Sequence, residues 1–320
     1  MSNESVERTP LLHFDDLQIS FKSRGRWLHA VKGISLKLHE QEGIAVIGES
    51  GSGKTISMLS SLALVGGQPG VVGGKILYGE AGTPALNLLE GVEEGFRREG
   101  NAIVTTRKAE LWKRDYLRRA QLLAGRKVGI IFQNPVASLD PLWSVGQTIC
   151  ESIRLREPKW SRAEIREEAE NWLERVHIKN PRGVMRSYPH QLSGGMCQRV
   201  MIATVLALRP QVIIADEPTT GLDMTTKAQV LYLLHEARTR YNSSLIFVTH
   251  EIGLVTGLTD RVYVMRHGEV ADEIATSDLR QVSFEDGEFQ APESFAEYTR
   301  QLLKSSLSLE HSRQQLQAMS

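Results

Sequence analysis

The sequence predicts an α/β fold in which a parallel core sheet carries a flanking antiparallel β-subdomain and an inserted helical subdomain. An apolar strand over 44–47 leads through a glycine-rich loop into an apolar helix. Strand-like runs that end at Asp216, His250 and Met265 alternate with helical stretches, which is typical of parallel strands joined by crossovers. Alternating apolar positions within 11–47 predict the antiparallel strands.

Composition limits the class of protein. The 320 residues suffice for one large core plus an appendage. Lys and Arg number 38, as do Asp and Glu, which argues against a general nucleic-acid binder. Two cysteines are too few for a disulfide framework and are expected of a reducing compartment. Neither a signal peptide nor a membrane-spanning apolar run is recognisable, so we expect membrane attachment through partners.

The glycine-rich loop reads GESGSGKT over 48–55 and matches the phosphate-binding pattern G-x-x-x-x-G-K-[ST], the Walker A motif. Its glycines let backbone N–H groups turn towards phosphates, and the following helix adds its positive N-terminal end. Lys54 is expected to bridge the β- and γ-phosphates, and the Thr55 hydroxyl to hold Mg²⁺. The predicted nucleotide contacts are Gly48, Glu49, Ser50, Gly51, Ser52, Gly53, Lys54 and Thr55.

A second segment, VIIADEP over 212–218, is a buried-strand pattern that ends in two carboxylates. We expect Asp216 to bind Mg²⁺ through water and Glu217 to polarise the attacking water. A carboxylate pair after a strand can also cap the next helix, but that interpretation leaves the phosphate-binding loop unexplained. The two motifs together therefore predict a site that hydrolyses ATP.

A third segment, LSGGM over 192–196, makes the set resemble the nucleotide-binding subunit of an ATP-binding cassette (ABC) transporter. The resemblance implies a P-loop NTPase fold of the ABC type with a RecA-like core. It implies that Gln133 senses the γ-phosphate and joins Thr55 and Asp216 around Mg²⁺, and that His250 contacts the γ-phosphate. A lone histidine after an apolar strand is more often a packed or capping residue, but its order after Glu217 favours the γ-phosphate contact.

The resemblance also implies a head-to-tail dimer. Ser193, Gly194 and Gly195 begin a helix whose N-terminal amides can bind the γ-phosphate of a second cassette's ATP. Asp223, in TTGLD, matches the aspartate that crosses the dimer interface. Phe21 lies where this family stacks an aromatic ring on adenine, with Trp27 as the rival, and either ring can instead be part of the core.

The flanks of the motifs resemble the ATPase subunits of oligopeptide and dipeptide permeases, above all FQNPVASLDPLWSVGQTI over 132–149. We expect a nucleotide-binding domain over 11–265, with a helical subdomain over about 134–200, and a C-terminal extension over 266–320. Pro292, Tyr298, Thr299, Leu302 and Leu303 match this family's C-terminal pattern, although Ala296-Glu297 replaces its usual His-Pro. Some relatives bind an iron–sulfur cluster here; 266–320 has no cysteine, so we predict none.

Two departures from that family are evident. The insertion over about 79–127 is longer than usual, and its helical part has a predicted apolar stripe opposite basic residues, which could meet anionic lipid or a partner or simply form a solvated face. The stripe comprises Ala109, Trp112, Tyr116, Ala120 and Leu123, and the basic face comprises Arg107, Lys108, Lys113, Arg114, Arg118 and Arg119. Cys197, just beyond the signature, is either a reactive thiol or an inert small residue.

The sequence therefore predicts an ATPase subunit at the cytoplasmic face of the cell (inner) membrane that powers import of peptides or similar solutes. Its expected partners are a second, related ABC ATPase, two transmembrane permease subunits and an extracytoplasmic solute-binding protein. The alternative is a non-transport ABC ATPase acting on nucleic acid or ribosomes, but such a protein would need a coiled-coil insertion, zinc-binding cysteines or tandem cassettes.

Overall fold

The computed structural model describes residues 9–80, 82–285 and 288–306. The chain divides into two compact units, Met1–Gln121 with Val248–Ser320, and Leu122–Phe247. Up to its first long helix, the chain forms β1 (Leu12–Ser23), β2 (Arg26–Leu38), β3 (Gly43–Ile47), α1 (Lys54–Ser60), β4 (Pro69–Tyr78), β5 (Leu86–Asn87), α2 (Val92–Gly95), β6 (Phe96–Glu99), β7 (Ala102–Thr105) and α3 (Ala109–Leu123).

The predicted antiparallel sheet is present, with strand order β2-β1-β4-β5. Phe14 of β1 is opposite Leu36 of β2 and Ile76 of β4, and all three side chains are buried. The prediction that 11–47 forms antiparallel strands is wrong for β3, because this strand pairs in parallel with a later strand. All five residues of β3 are buried, as expected of a strand covered on both faces.

The insertion forms a small aromatic cluster. Trp112 of α3 stacks on Tyr116 with ring centroids 5.2 Å apart, and Phe96 meets Trp112 edge-on at 5.4 Å. The predicted apolar stripe of α3 is buried, since its five residues are all less than a tenth exposed. Arg119 does not lie on a solvated face as predicted: its guanidinium donates to the carbonyls of Leu88 and Glu90 and fixes the loop before α2.

The second unit contains β8 (Val128–Ile131), α4 (Pro135–Ser138), α5 (Val145–Arg156), α6 (Arg162–Arg175), α7 (Pro181–Val184), α8 (Gly194–Ala207), β9 (Val212–Asp216), α9 (Met224–Tyr241) and β10 (Ser244–Thr249), whose last two residues belong to the first unit. Strands β8 and β9 pair in parallel. Helix α6 begins with the predicted capping box of Ser161 and Glu164. Its predicted apolar face, including Trp172 and Leu173, is buried.

The chain returns to the first unit with β11 (Arg261–Arg266), β12 (Glu269–Ala275), α10 (Thr276–Leu279), β13 (Ser283–Glu285), β14 (Glu288–Gln290) and a helix over 297–306. Strand β11 is the parallel neighbour of β3 and pairs antiparallel with β12. Phe295, Tyr298 and Leu303 share one hydrophobic core with Ala45 and Ile47 of β3. The helix over 297–306 is thus packed into the core of its unit.

The predicted fold class is confirmed, since the chain contains parallel strand pairs, an antiparallel sheet and a helical region. The predicted domain bounds remain a prediction. Among the described helices, none is both long enough and apolar enough to span a bilayer.

Candidate functional site

The phosphate-binding loop (residues 48–55) follows the buried strand β3 and is packed so closely that two positions admit only glycine. Gly48 has φ 149°, and a Cβ atom there would lie 2.2 Å from the Met265 carbonyl oxygen. Gly53 has φ 100°, and its Cβ would lie 2.8 Å from the Ala30 carbonyl oxygen. Residues other than glycine rarely adopt such φ values, and in both cases the clashing atom is a backbone oxygen that cannot move away.

Lys54, the first residue of α1, turns its ammonium group back into the loop. Its Nζ donates to the carbonyl oxygens of Gly48 at 2.8 Å and Glu49 at 2.9 Å, and the residue is only 5% exposed. Ser52 is also buried, whereas Glu49, Ser50, Gly51 and Thr55 are exposed. A positive charge within a loop of backbone N–H groups is suited to binding a polyphosphate.

The catalytic carboxylate predicted from sequence lies at the end of β9. Asp216 closes the strand and is 3% exposed, and Glu217 follows with φ 45°, a left-handed conformation that is uncommon outside glycine. One Glu217 carboxylate oxygen accepts hydrogen bonds from Gln133 Nε2 at 2.9 Å and Thr220 Oγ1 at 3.0 Å. The structure therefore brings Gln133 to Glu217, because β8 and β9 are parallel neighbours and end at the same edge.

Thr220 was not predicted as a site residue. It lies three residues after Glu217 in a turn, and its hydroxyl reaches back to the carboxylate. The sequence gives only a weak signal for this contact, a hydroxyl residue three positions beyond an acid, since such turns are common.

The signature segment forms the exposed start of α8. Ser193 is the N-cap residue, and its hydroxyl accepts a hydrogen bond from the Met196 N–H at 3.3 Å. Gly194 and Gly195 occupy the first turn, and a Cβ atom built on either meets no atom within 4 Å. Neither glycine is therefore required by packing among the described residues.

Gln198 connects α8 to the segment that follows Glu217. Its Nε2 donates to the Pro218 carbonyl oxygen at 2.9 Å, and the residue is 2% exposed. Asp223, at the N-cap of α9, accepts from the Thr226 N–H at 3.0 Å and from its hydroxyl at 2.7 Å. These hydrogen bonds from Thr226 lower the pKa of Asp223. Sequence reasoning missed Gln198. Its position two residues after the signature, at the start of an apolar helical run, was a possible signal.

The remaining predicted residues lie in the first unit. His250 is exposed immediately after β10. A Cβ on Gly67 would lie 2.9 Å from the Phe21 ring, and the Lys22 ammonium is 5.7 Å from the Trp27 ring centre. Both rings are half-buried, so the choice between them as the adenine-stacking residue stays a prediction.

Cys197 is fully buried, and its thiol contacts the Pro189 carbonyl at 3.4 Å. Burial raises the pKa of this thiol. The structure thus favours the inert residue over the reactive thiol.

The donors predicted for Mg²⁺ are one hydroxyl, one amide oxygen and one carboxylate, from Thr55, Gln133 and Asp216. All are hard oxygen ligands, which suit Mg²⁺, and this ion usually keeps several waters and binds substrate phosphates. In the described ranges, no group of three or more His, Cys, Asp or Glu residues forms a dedicated metal cage. The donor set therefore fits a metal that arrives with a phosphate ligand.

Comparisons with known proteins show the family of this chain. The sequence pattern of the ABC transporter family matches residues 31–220. The glutathione import ATP-binding protein GsiA of Salmonella choleraesuis is 36% identical over 272 residues, covering 84% of this chain and 40% of GsiA. The oligopeptide transport ATP-binding protein OppD of Bacillus subtilis is 35% identical over 268 residues, covering 83% of this chain and 66% of OppD.

This chain thus spans less than two thirds of the length of these curated relatives. Among solved structures, the dimeric structure of MJ0796, a bacterial ABC transporter cassette, superposes with a TM-score of 0.63 at 23% identity, over 83% of this chain and 98% of that chain. That likeness supports the fold. The family match covers more than half of the sequence and includes the phosphate-binding loop, the signature and both carboxylates, so the chain belongs to the ABC transporter family.

Proposed function

We propose that the chain binds and hydrolyses ATP to power import of peptides or similar small solutes through a separate membrane permease. The observation that carries the proposal is a phosphate-binding loop with a lysine turned into it, in a chain that also holds Glu217 beside Gln133. The import class is supported by GsiA and OppD, named for glutathione and oligopeptide transport.

Each group has a defined role in this proposal. Loop amides and Lys54 hold the phosphates, and Lys54 exchanges its two carbonyl partners for phosphate oxygens. Glu217 orients the attacking water, since its carboxylate already accepts hydrogen bonds from two neutral donors. His250 contacts the γ-phosphate. Mg²⁺, when bound by Thr55, Gln133 and Asp216, supplies charge neutralisation for phosphoryl transfer.

The signature glycines support a head-to-tail cassette dimer. Glycine in a helix costs about 0.5–1 kcal/mol relative to alanine, and no packing among the described residues requires Gly194 or Gly195. Space above the first turn of α8 is therefore available to a group from outside the chain. We assign it to the γ-phosphate of a second cassette's ATP, and Asp223 to the same interface. MJ0796, which shares the fold, has been solved as a dimer.

Three exposed apolar residues shortly after Gln133 in sequence, here called the patch after Gln133, support docking to a permease. Val136, Leu142 and Trp143 are 51%, 82% and 41% exposed, and all three follow Gln133 within ten residues. Large exposed apolar surfaces mark sites of interaction with proteins or membranes, and these three side chains offer apolar surface to such a partner. Docking here would place the chain peripherally at the cytoplasmic face of the membrane, with two permease subunits above a pair of cassettes.

We further propose that the second cassette is a related but different chain and that an extracytoplasmic binding protein delivers the solute. A homodimer is the alternative, because every predicted catalytic group is present in this one sequence. A role on nucleic acid or ribosomes has no support in the balanced charge.

The proposal is tested by capturing tagged Glu217→Gln protein with ATP from detergent-solubilised native membranes and identifying what copurifies by mass spectrometry. We expect two permease subunits, a second ATPase and a solute-binding protein. Recovery with ribosomes or nucleic acid, or from the soluble fraction alone, would contradict the transport assignment.

A further inference from the structure

The turn between β9 and α9 (residues 217–223, here called the 217–223 turn) carries both Glu217 and Asp223. Glu217 has a left-handed φ of 45° and is followed by Pro218. A residue before proline favours an extended conformation, so the Glu217 backbone lies in a sparsely populated conformation that the surrounding contacts must maintain. The contacts that hold this turn therefore also set the direction of the Glu217 carboxylate.

A buried side chain of α8 holds the first end of the turn. The Thr220 N–H donates to the Glu217 carbonyl oxygen at 3.2 Å, which closes the turn from within. The next carbonyl along the chain, that of Pro218, accepts from Gln198 Nε2 at 2.9 Å. Gln198 is 2% exposed and Pro218 is also buried, so this hydrogen bond is shielded from solvent. Without it, a buried carbonyl group would lose the hydrogen bond that offsets its desolvation.

The next residue of α8 holds the other end of the turn. One terminal nitrogen of Arg199 donates to the Thr226 hydroxyl oxygen at 3.3 Å, and the other donates to the His177 carbonyl oxygen at 3.0 Å. The Thr226 hydroxyl donates its own proton to the Asp223 carboxylate at 2.7 Å. Because a hydroxyl can accept and donate at once, Arg199, Thr226 and Asp223 form one continuous chain of hydrogen bonds.

Both anchoring residues belong to the helix that begins with the signature. Ser193 is the N-cap of α8, and at 1.5 Å per residue Gln198 lies only about 8 Å further along the helix axis. The following residues of α8 include Val200 and Ile202, which are fully buried, so this helix is packed as one rigid element. A displacement of its exposed start therefore reaches Gln198 and Arg199 together.

We propose that Gln198 and Arg199 are positioning residues that fix the backbone of the 217–223 turn and thereby direct the Glu217 carboxylate. The consequence for ATP hydrolysis rests on the proposed function; the consequence for the order of the turn does not. A second cassette's ATP, when it engages the start of α8 as proposed above, acts through these two contacts on the Glu217 of the same chain.

The test compares three variants of the full chain. Gln198→Met nearly conserves side-chain volume and removes the donor to Pro218. Arg199→Lys keeps the charge but replaces the guanidinium fork with a single ammonium group. Gln229→Met is the matched control, since Gln229 is a half-buried glutamine of α9 whose side-chain oxygen has no partner in the described part of the chain.

Amide hydrogen exchange without nucleotide measures the order of the turn. The net contribution of one hydrogen bond corresponds to about five-fold in an opening equilibrium. We therefore expect the Thr220 amide to exchange about five-fold faster in Gln198→Met, and the Thr226 amide about five-fold faster in Arg199→Lys. Both amides should exchange at wild-type rates in Gln229→Met.

The separate values of kcat and KM for ATP hydrolysis measure the direction of Glu217. They are determined on the membrane-captured complex, at a temperature well below the unfolding midpoint of every variant. We expect Gln198→Met and Arg199→Lys to lower kcat at least five-fold at wild-type ATP affinity, because the phosphate-binding loop is untouched. Gln229→Met should match wild type in both values.

Wild-type exchange in both Gln198→Met and Arg199→Lys would overturn the proposal. Faster exchange with wild-type kcat, or an equal loss of kcat and ATP affinity, would overturn the role of these contacts in directing Glu217. If the wild-type complex hydrolysed no ATP, the proposed function would fail, whereas the exchange comparison would still decide whether Gln198 and Arg199 hold the turn.

Discussion

Glu217 combines an unusual backbone conformation with a proposed catalytic role. Its left-handed φ of 45° is unusual for a side chain with a Cβ, and it follows directly on the buried strand end at Asp216. Hydrogen bonds from Gln133 and Thr220 hold the carboxylate. A residue kept in a sparsely populated conformation by its neighbours is expected where a group must be aimed, which agrees with its proposed role towards water.

Gly48 gives a sharp prediction at the same scale. Gly48→Ala would place a Cβ 2.2 Å from a backbone oxygen, so the loop must distort. We expect saturable ATP binding to be lost in a fluorescent-nucleotide titration. Gly25→Ala is the control and should bind ATP normally, because its Cβ would meet open space outside the loop and only its φ of 79° would be strained, at a cost of about 1–2 kcal/mol. Wild-type affinity in Gly48→Ala would contradict the structure.

At the scale of elements, a substitution at the start of α8 is expected to raise stability while lowering ATP turnover. We expect Gly194→Ala to stabilise the ATP-free protein by about 0.5 kcal/mol through helix propensity, while lowering ATP turnover at least ten-fold by occupying the space assigned to a second cassette's phosphate. Urea denaturation and phosphate release measure the two effects.

Gly66→Ala serves as the control for Gly194→Ala, because a Cβ at Gly66 also meets open space but lies outside the proposed interface. It should leave turnover unchanged. Full turnover in Gly194→Ala would exclude the assigned role of the signature helix.

Helix α3 has a structural role that can be measured. Trp112 is 6% exposed between Phe96 and Tyr116, and the Tyr116 hydroxyl donates to the Ser60 carbonyl just beyond the phosphate-binding loop. We expect Trp112→Ala to cost about 3–5 kcal/mol of unfolding free energy. Leu111→Ala, at a 57% exposed neighbour, should stay within about 0.5 kcal/mol. Similar unfolding midpoints for the two variants would contradict the packing described for Trp112.

Three basic residues of the predicted basic face form ion pairs with acidic side chains. Lys108 pairs with Glu94 at 2.6 Å, Lys113 with Glu110 at 3.2 Å, and Arg118 with Asp115 at 3.8 Å. Such exposed pairs contribute little stability, but they reduce the free positive charge offered to anionic lipid. The structure favours the solvated face over a lipid-binding surface.

At the scale of the whole molecule, the patch after Gln133 should couple the ATPase to its permease. We expect Leu142→Ser, at an 82% exposed position, to reduce copurification of permease subunits at least ten-fold without changing ATP affinity. Leu155→Ser, 52% exposed at the end of α5, is the control and should copurify normally. Undiminished copurification of Leu142→Ser would place the docking surface elsewhere.

Local patterns explain what could be predicted from the sequence. The apolar run of β3, the capping box of α6 and the stripe of α3 are each determined by neighbouring residues, and all were confirmed. Contacts that depend on the folded chain were not predictable: Thr220 reaches Glu217 through a turn, and the Tyr116 hydroxyl donates to the Ser60 carbonyl oxygen 56 positions away. Arg119 was assigned to the solvent because periodicity does not reveal a backbone carbonyl within reach.

The central claim is that this chain hydrolyses ATP through Glu217 while attached to a permease. The most direct measurement is phosphate release from Mg·ATP by the membrane-captured complex, for wild type and Glu217→Gln. We predict steady turnover by wild type and a loss of at least 100-fold in Glu217→Gln, with ATP still bound. Equal turnover by both, or none by a wild-type complex that contains its permease, would contradict the account.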